Sequence, residues 1–343
     1  MGLGAYIARR LLLFIPVLIG VTILIFLISM SFTPEQRAVL YARSPKQLRS
    51  LRQLAQKYHL YDPIHIQYIN WLNNVLHGNL GWSITANMPV SQAIIEFFPA
   101  TLELVLYSAP FIYIVGTRLG IISAVKRDTA IDHGTRVLAI IGWALPTFWS
   151  AILLLSVFYG HLDLFPPGRL GEAATRYVQS PKFTRYTGLN TIDALLNGEI
   201  WIFLDALRHL VLPVTNLVIV TSALIMRVMR SSMLETLSKA YITMARAKGL
   251  DEKEVINKHA RRNALIPVIT VTGSLFATMI CGLVVTESVF NYMGIGYWAA
   301  KAAVCLDIAA ILGFSLFVAI VFVVTNLIVD VLYAFLDPRI RLG

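Results

Sequence analysis

The chain has 343 residues, of which 57% are hydrophobic and 14% charged, with a formal net charge of +10. That is more apolar surface than one soluble core takes up and far less charge than the usual quarter, which excludes an ordinary soluble enzyme or a disordered chain and indicates an integral membrane protein. The basic excess alone would suit a nucleic-acid binder, but no nucleic-acid motif accompanies it, and its distribution along the chain has another explanation.

Six windows approach the ~20 residues that cross about 30 Å of hydrocarbon. They cover residues 11–30, 102–122, 137–159, 210–226, 264–285 and 308–328. The runs are continuously apolar rather than alternating, which disfavours a β-barrel. The expected fold is therefore an all-α integral membrane protein with six transmembrane helices.

The first window follows Arg9 and Arg10. It is too long for a secretory signal, and no small-residue cleavage site follows it, so it reads as an anchor helix. After it comes the long segment 32–100, whose pattern predicts two amphipathic helices. One starts at Ser44 and Pro45 and places Leu48, Leu51, Leu54 and Tyr58 on one face; the other starts at Asp62 and Pro63, carries Ile66, Ile69, Leu72 and Leu76, and ends at Gly78. Such helices lie on the membrane, pack against the bundle, or meet an external partner.

In the third window Pro146 is expected to perturb the helix, and the opened backbone with Thr147, Phe148 and Trp149 is a candidate lining for a translocation pathway. Ordinary interhelical packing explains the same residues equally well. Glu103, Arg118, Glu287 and Asp330 fall near window ends, where snorkelling tolerates charge, and no charged residue falls at an expected midplane. That pattern argues against a proton-coupled secondary transporter. Cys281 and Cys305 form neither a disulfide framework nor a metal pattern and read as small apolar fillers.

Between the fourth and fifth windows lies "YITMARAKGLDEKEVINKHARRNALIPV", residues 241–268, with six Lys or Arg. Each would cost about 2.5–3.5 kcal/mol at mid-bilayer, so this stretch is a loop. Its grammar is helical: helix formers run from Ala240 to Lys248, Gly249 stands where a left-handed stop belongs, and Asp251 with Glu254 makes a capping-box pattern. With both termini placed inside, the inner segments hold sixteen Lys or Arg and the outer ones eleven in nearly twice the length. Both termini therefore read as cytoplasmic. There is no P-loop, HExxH or nucleophile elbow, and the seven histidines are scattered. The chain is not expected to be an enzyme or to bind a cofactor or metal.

Residues 241–268 resemble the cytoplasmic loop of ABC importer permeases, specifically the dipeptide, oligopeptide and nickel branch. The likeness continues in "YIARRLLLFIPVLIGVTILIFLI", "LPTFW" (145–149), "LRHLVLPV" (207–214), "ESVFNYMGIG" (287–296) and "VDVLYAFLDPRIRLG" (329–343), in the order of that branch. The early first span and long outer segment are similar to the first (B-type) of the branch's two paired permeases. One departure from the wider importer signature is that Thr243 and Met244 stand where Glu and Ala are usual, while Ala245 and Gly249 are kept. Arg261 and Arg262 occupy the usual Leu-Pro place, with Ile266 and Pro267 following.

The resemblance implies a type I importer permease fold, with an anchor and outer segment over 1–100, a transmembrane domain over 101–335 and a cytoplasmic tail over 336–343. It implies an ATPase-coupling loop over 231–263, with Tyr241, Ala245, Arg246, Ala247, Lys248, Gly249, Asp251 and Glu254 as coupling residues. It implies a plasma-membrane location and a homologous second permease, two cytoplasmic ATPase subunits that bind ATP and Mg, an extracytoplasmic solute-binding protein and membrane lipid as partners. Arg246 and Lys248 would pair with acidic rims on the ATPase or with anionic lipid. Short peptides are the first expected cargo, with oligosaccharides and nickel as alternatives.

Overall fold

Apolar runs that offer no water to their backbone must close their hydrogen bonds internally, and here they do so as helices. The computed structural model describes residues 3–336, so the expected tail lies outside it apart from its first residue. Helix α1 (Leu3–Ser29) leads to α2 (Pro34–Arg37), α3 (Leu51–Lys57) and α4 (Ile64–Leu76). Strands β1 (Trp82–Ser83) and β2 (Met88–Pro89) then pair antiparallel, with Trp82 opposite Pro89. Next come α5 (Val90–Val125), α6 (Ala130–Ala144) and α7 (Thr147–Leu154), the last continuing as a π-helix over Leu155–His161. Short α8 (Glu172–Val178) and α9 (Asn190–Leu196) precede α10 (Ile200–Leu237), α11 (Ala240–Ala247) and α12 (Glu252–Glu254). A π-helical stretch, Val255–Ala260, feeds α13 (Arg261–Ile280), followed by α14 (Val284–Val289), α15 (Ile295–Val304) and α16 (Ile308–Leu336).

Among the described residues five helical runs are long and apolar enough to cross a membrane, or six if the bent pair α6–α7 is one span. The windows at 102–122 and 210–226 are only the middles of α5, with 36 residues, and α10, with 38. Hydropathy marks the part suited to lipid, whereas hydrogen bonding carries the helices further. The window at 137–159 is not one helix: Leu145 and Pro146 take extended backbone, and the two halves meet at 102°. The window at 264–285 also ends early. Cys281 caps α13, and Gly282 at φ +127° turns the chain where a side chain would be strained.

The outer segment differs from its expected start. Ser44 and Pro45 precede a 3₁₀ turn over Gln47–Ser50 rather than capping an α-helix, and the Gln47 side chain accepts from the Arg43 N–H at 2.7 Å. Leu48, Leu51, Leu54 and Tyr58 do share a face, packed into the cluster that joins α1, α5 and α16. On α4 only Leu72 of the expected stripe faces inward. Ile69 is 62% and Leu76 76% exposed, while Gln67 and Trp71 are buried and Tyr68, Leu72 and Val75 line the same inner face. Aromatic packing decides it: Phe26 of α1 lies 5.3 Å from the Tyr68 ring and 5.8 Å from Trp71. Gln67 goes in because its amide oxygen accepts from Arg37, which is itself buried. Gly78 ends the helix at φ +76°, as expected.

The bundle is built around α5 and α10, which run side by side in the same direction. A Cβ on Gly116 would stand 2.6 Å from the Ile225 Cβ, and one on Gly120 2.6 Å from the Met229 Cβ, so the two backbones approach as small-xxx-small packing permits. Near the end of α5 that leads to the Ala130 loop, fully buried Asp132 accepts from Ser123 Oγ at 2.6 Å and from Arg230 Nε and Nη2 at 2.9 and 2.8 Å. Gly142 brings α6 against α10, where a Cβ would meet the Ile219 carbonyl at 2.7 Å.

Candidate functional site

The polar stretch folds as helix, left-handed stop, helix. Gly249 sits at φ +78°, its N–H donates to the Arg246 carbonyl at 2.9 Å, and Leu250 N–H reaches back to Ala245. Across the bend Arg246 grips Glu252 with both ends of its fork, Nε to Oε2 at 3.0 Å and Nη2 to Oε1 at 2.6 Å. That hydrogen bonding pushes the guanidinium further toward its protonated form. Asp251 caps as expected, accepting from Lys253 N–H at 3.2 Å. The capping box is not completed, because Glu254 turns to Lys258 Nζ at 3.0 Å, an i,i+4 pair along its own helix.

The two faces of α11 have different surroundings. Ile242 and Ala245 are buried in a cluster with Met229 and Met233 of α10, Val255 and Ala260 of the π stretch, and Ala264 and Val268 of α13. On the other face Tyr241 is 43% and Met244 61% exposed, with Ala247 and Lys248 also outward. Ala245, one of the expected coupling residues, faces inward, and Arg246 is held by Glu252 within the chain. Lys248 has no ion-pair partner among the described residues. Met244 was not expected; its spacing, three residues after Tyr241 and four before Lys248, is the signal that places it on their face.

At the break, Pro146 stands as the N-cap of α7 and Thr147 begins the helix. Ser150 Oγ donates to Asn216 Oδ1 at 2.6 Å, and Asn216 Nδ2 reaches the Thr147 carbonyl at 3.4 Å. Fully buried Asn216 therefore fastens the opened backbone to α10. Nothing in the sequence pattern marked Asn216. Phe148 and Trp149 point outward, 52% and 46% exposed. They are not in the apolar groove of about 480 Å³ between α5 and α10, which Tyr107, Phe111, Leu210, Val214, Thr215 and Val218 line. Replacing Asn216 with Ala should lower stability by about 0.5–1.5 kcal/mol, since the tie to α10 is lost while Ser150 keeps the Thr147 carbonyl at 3.1 Å. Thermal unfolding in detergent reads this as a lower Tm, and an unchanged Tm would show the tie to be idle.

Two carboxylates at the far end of the bundle are not at the surface. Glu103 is fully buried and accepts from Thr191 N–H and Oγ1 at 2.8 and 2.9 Å, from the Tyr292 hydroxyl at 2.7 Å and from Arg169 Nη2 at 3.0 Å. Glu287, also fully buried, accepts from Thr101 Oγ1 at 2.6 Å and from Tyr297 N–H at 2.8 Å. Snorkelling does not describe either residue; each is enclosed and hydrogen-bonded, and Glu103 is also ion-paired. Arg118 is exposed, as expected for a window end. From Glu103 to Ser123 is twenty residues, roughly 30 Å along the helix, so α5 is tied by buried carboxylates at both ends of a bilayer-sized stretch.

Comparison with known proteins adds relatives. Residues 116–342 match the family described as binding-protein-dependent transport system inner membrane component. The chain is 38% identical over 328 residues to the probable D,D-dipeptide transport system permease protein DdpB of Escherichia coli strain K12, covering 95% of this chain and 94% of that one. It is 37% identical over 337 residues to the di/tripeptide transport system permease protein DppB of Pseudomonas aeruginosa strain UCBPP-PA14, covering 98% of each. It is likewise 37% identical over 340 residues to the oligopeptide transport system permease protein AppB of Bacillus subtilis strain 168, covering 99% of this chain and all of the relative.

Proposed function

Given that the chain belongs to the family of binding-protein-dependent transport system inner membrane components, we propose that it is the permease subunit of an ATP-driven importer of short peptides. It forms half of the translocation pathway beside a homologous permease and couples to two cytoplasmic ATPase subunits, which hold the ATP and Mg. An extracytoplasmic solute-binding protein delivers the cargo, and this chain binds no cofactor and is not an enzyme. It sits in the plasma membrane as six spans, with α6–α7 counted as one and both termini cytoplasmic.

The observation that carries this reading is the division of α11 into a buried face and a free one. A helix with Tyr241, Met244 and Ala247 outward and Ile242 and Ala245 locked into the bundle is a short rigid lever. Tyr241, Ala247, Lys248 and Gly249 lie where an ATPase would touch. Ala245 passes the displacement to Met233 and so to α10, while Arg246, Asp251, Glu252 and Glu254 keep the bend in shape. ATPase closure biases the bundle between two arrangements by its differential grip on this lever. Side chains of varied peptides suit the apolar α5–α10 groove, where Tyr107 and Thr215 supply the hydroxyls. Pro146, Thr147, Phe148 and Trp149 border the pathway from the broken span.

Reconstitution tests it. With partner permease, ATPases, binding protein and ATP, vesicles should accumulate labelled di- and tripeptides, and omission of ATP or of the ATPases should abolish uptake. Uphill peptide uptake by this chain alone on a proton gradient would overturn the reading.

A further inference from the structure

Between α6 and α10, one to two turns in from the Asp132 tie, lies a cleft of about 280 Å³. Arg136, Arg227 and Arg230 supply its cationic lining, and Ala139, Ile140, Met226 and Leu234 its apolar part. The charges are not balanced within the chain. Arg230 spends Nε and Nη2 on Asp132, whereas Arg227 rests over the Trp143 ring at 5.2 Å and Arg136 has no carboxylate partner among the described residues. Two guanidinium charges thus remain without an anion beside a cavity whose neighbouring α6 face, Val137, Leu138 and Ile141, is 53%, 63% and 48% exposed. Along α6 the order is Arg136 nearer the loop and apolar Ile140 and Ile141 toward the middle, as it is along a phospholipid from phosphate to acyl chain.

We propose that this cleft holds the phosphate of an anionic phospholipid, with Arg136 and Arg227 as the ligating pair and the acyl chains lying along the exposed α6 face. Guanidinium forks match phosphate oxygens two at a time, and an apolar floor excludes the water that would compete for them. Basic pockets between spanning helices on the loop side are places where anionic headgroups settle. Arg230 stays with Asp132 and fixes the cleft's shape. The site requires only that the chain span a bilayer, whatever it carries and whichever way it faces. A bound lipid there fills the angle between the broken span and α10.

The test uses the full chain extracted from a membrane of phosphatidylethanolamine and phosphatidylglycerol. Native mass spectrometry during stepwise delipidation should find one phosphatidylglycerol retained after the zwitterionic lipid is gone. Replacing Arg136 and Arg227 together with Gln should weaken its retention about twenty-fivefold, at roughly fivefold per charge. Replacing exposed Arg118 with Gln should leave retention unchanged. A photo-crosslinker at Ala139 in the otherwise unaltered chain should capture phosphatidylglycerol, which keeps the test independent of whether the double variant folds. Equal retention by the double variant, crosslinks to protein in place of lipid, or complete displacement by inorganic phosphate at millimolar concentration would each overturn the proposal.

Discussion

Replacing Glu103 with Ala should cost about 3–5 kcal/mol, because the change leaves the Arg169 charge enclosed without its anion. Four donors converge on this one carboxylate: the Thr191 amide and hydroxyl, the Tyr292 hydroxyl and Arg169 Nη2. The Arg169 guanidinium also lies 5.6 Å from the Tyr292 ring and donates to the Gly188 carbonyl at 3.0 Å. Removing the acid therefore loosens the 162–199 connection from α5 and cuts the Tyr292 tie of the 282–297 turn, which keeps its second tie to α5 through Thr101, Glu287 and Ile295. A Gln replacement keeps an acceptor but not the charge, and should fall between wild type and Ala. By contrast the Arg185–Glu96 pair, about half exposed on both sides, should contribute at most about 1 kcal/mol. Chemical unfolding of the purified variants would rank them; a Glu103→Ala protein as stable as wild type would show that the convergence of donors carries no energy.

The second large effect concerns transport rather than folding. At Gly249 a Cβ would meet nothing within 4 Å, yet φ is +78°. A Val there is not crowded but strained: a branched side chain in the left-handed region costs about 1–3 kcal/mol. The chain escapes by leaving that region, which unwinds the turn and separates Arg246 from Glu252. Uptake should fall at least tenfold while membrane insertion and the ATPases' hydrolysis persist. Gly249→Asn, which tolerates the left-handed region, should retain most of the transport. Normal uptake by the Val variant in proteoliposomes would sink the lever mechanism.

What the sequence could say depended on how local the physics was. The left-handed stop at Gly249, the Asp251 cap and the break at Pro146 were legible because each rests on backbone preferences within a few residues. The inner face of α4 was not, since Trp71 and Tyr68 are drawn by Phe26 some forty residues earlier and Gln67 by the need of Arg37 for an acceptor. The buried carboxylates were misread for the same reason. Glu103 meets Thr191 and Tyr292, 88 and 189 residues away, and a charge near a window end looks alike whether it reaches water or a partner. Asn216 likewise carried no mark, as its role exists only once the α7 break is laid against α10.

The contact at Gly116 and Gly120 has a consequence for how the molecule opens. With backbone pressed on Ile225 and Met229, α5 and α10 have no room to slide or roll past each other, so the pair travels as a single spine. Any rearrangement that exposes first one side of the membrane and then the other therefore leaves this pair intact and moves other helices against it.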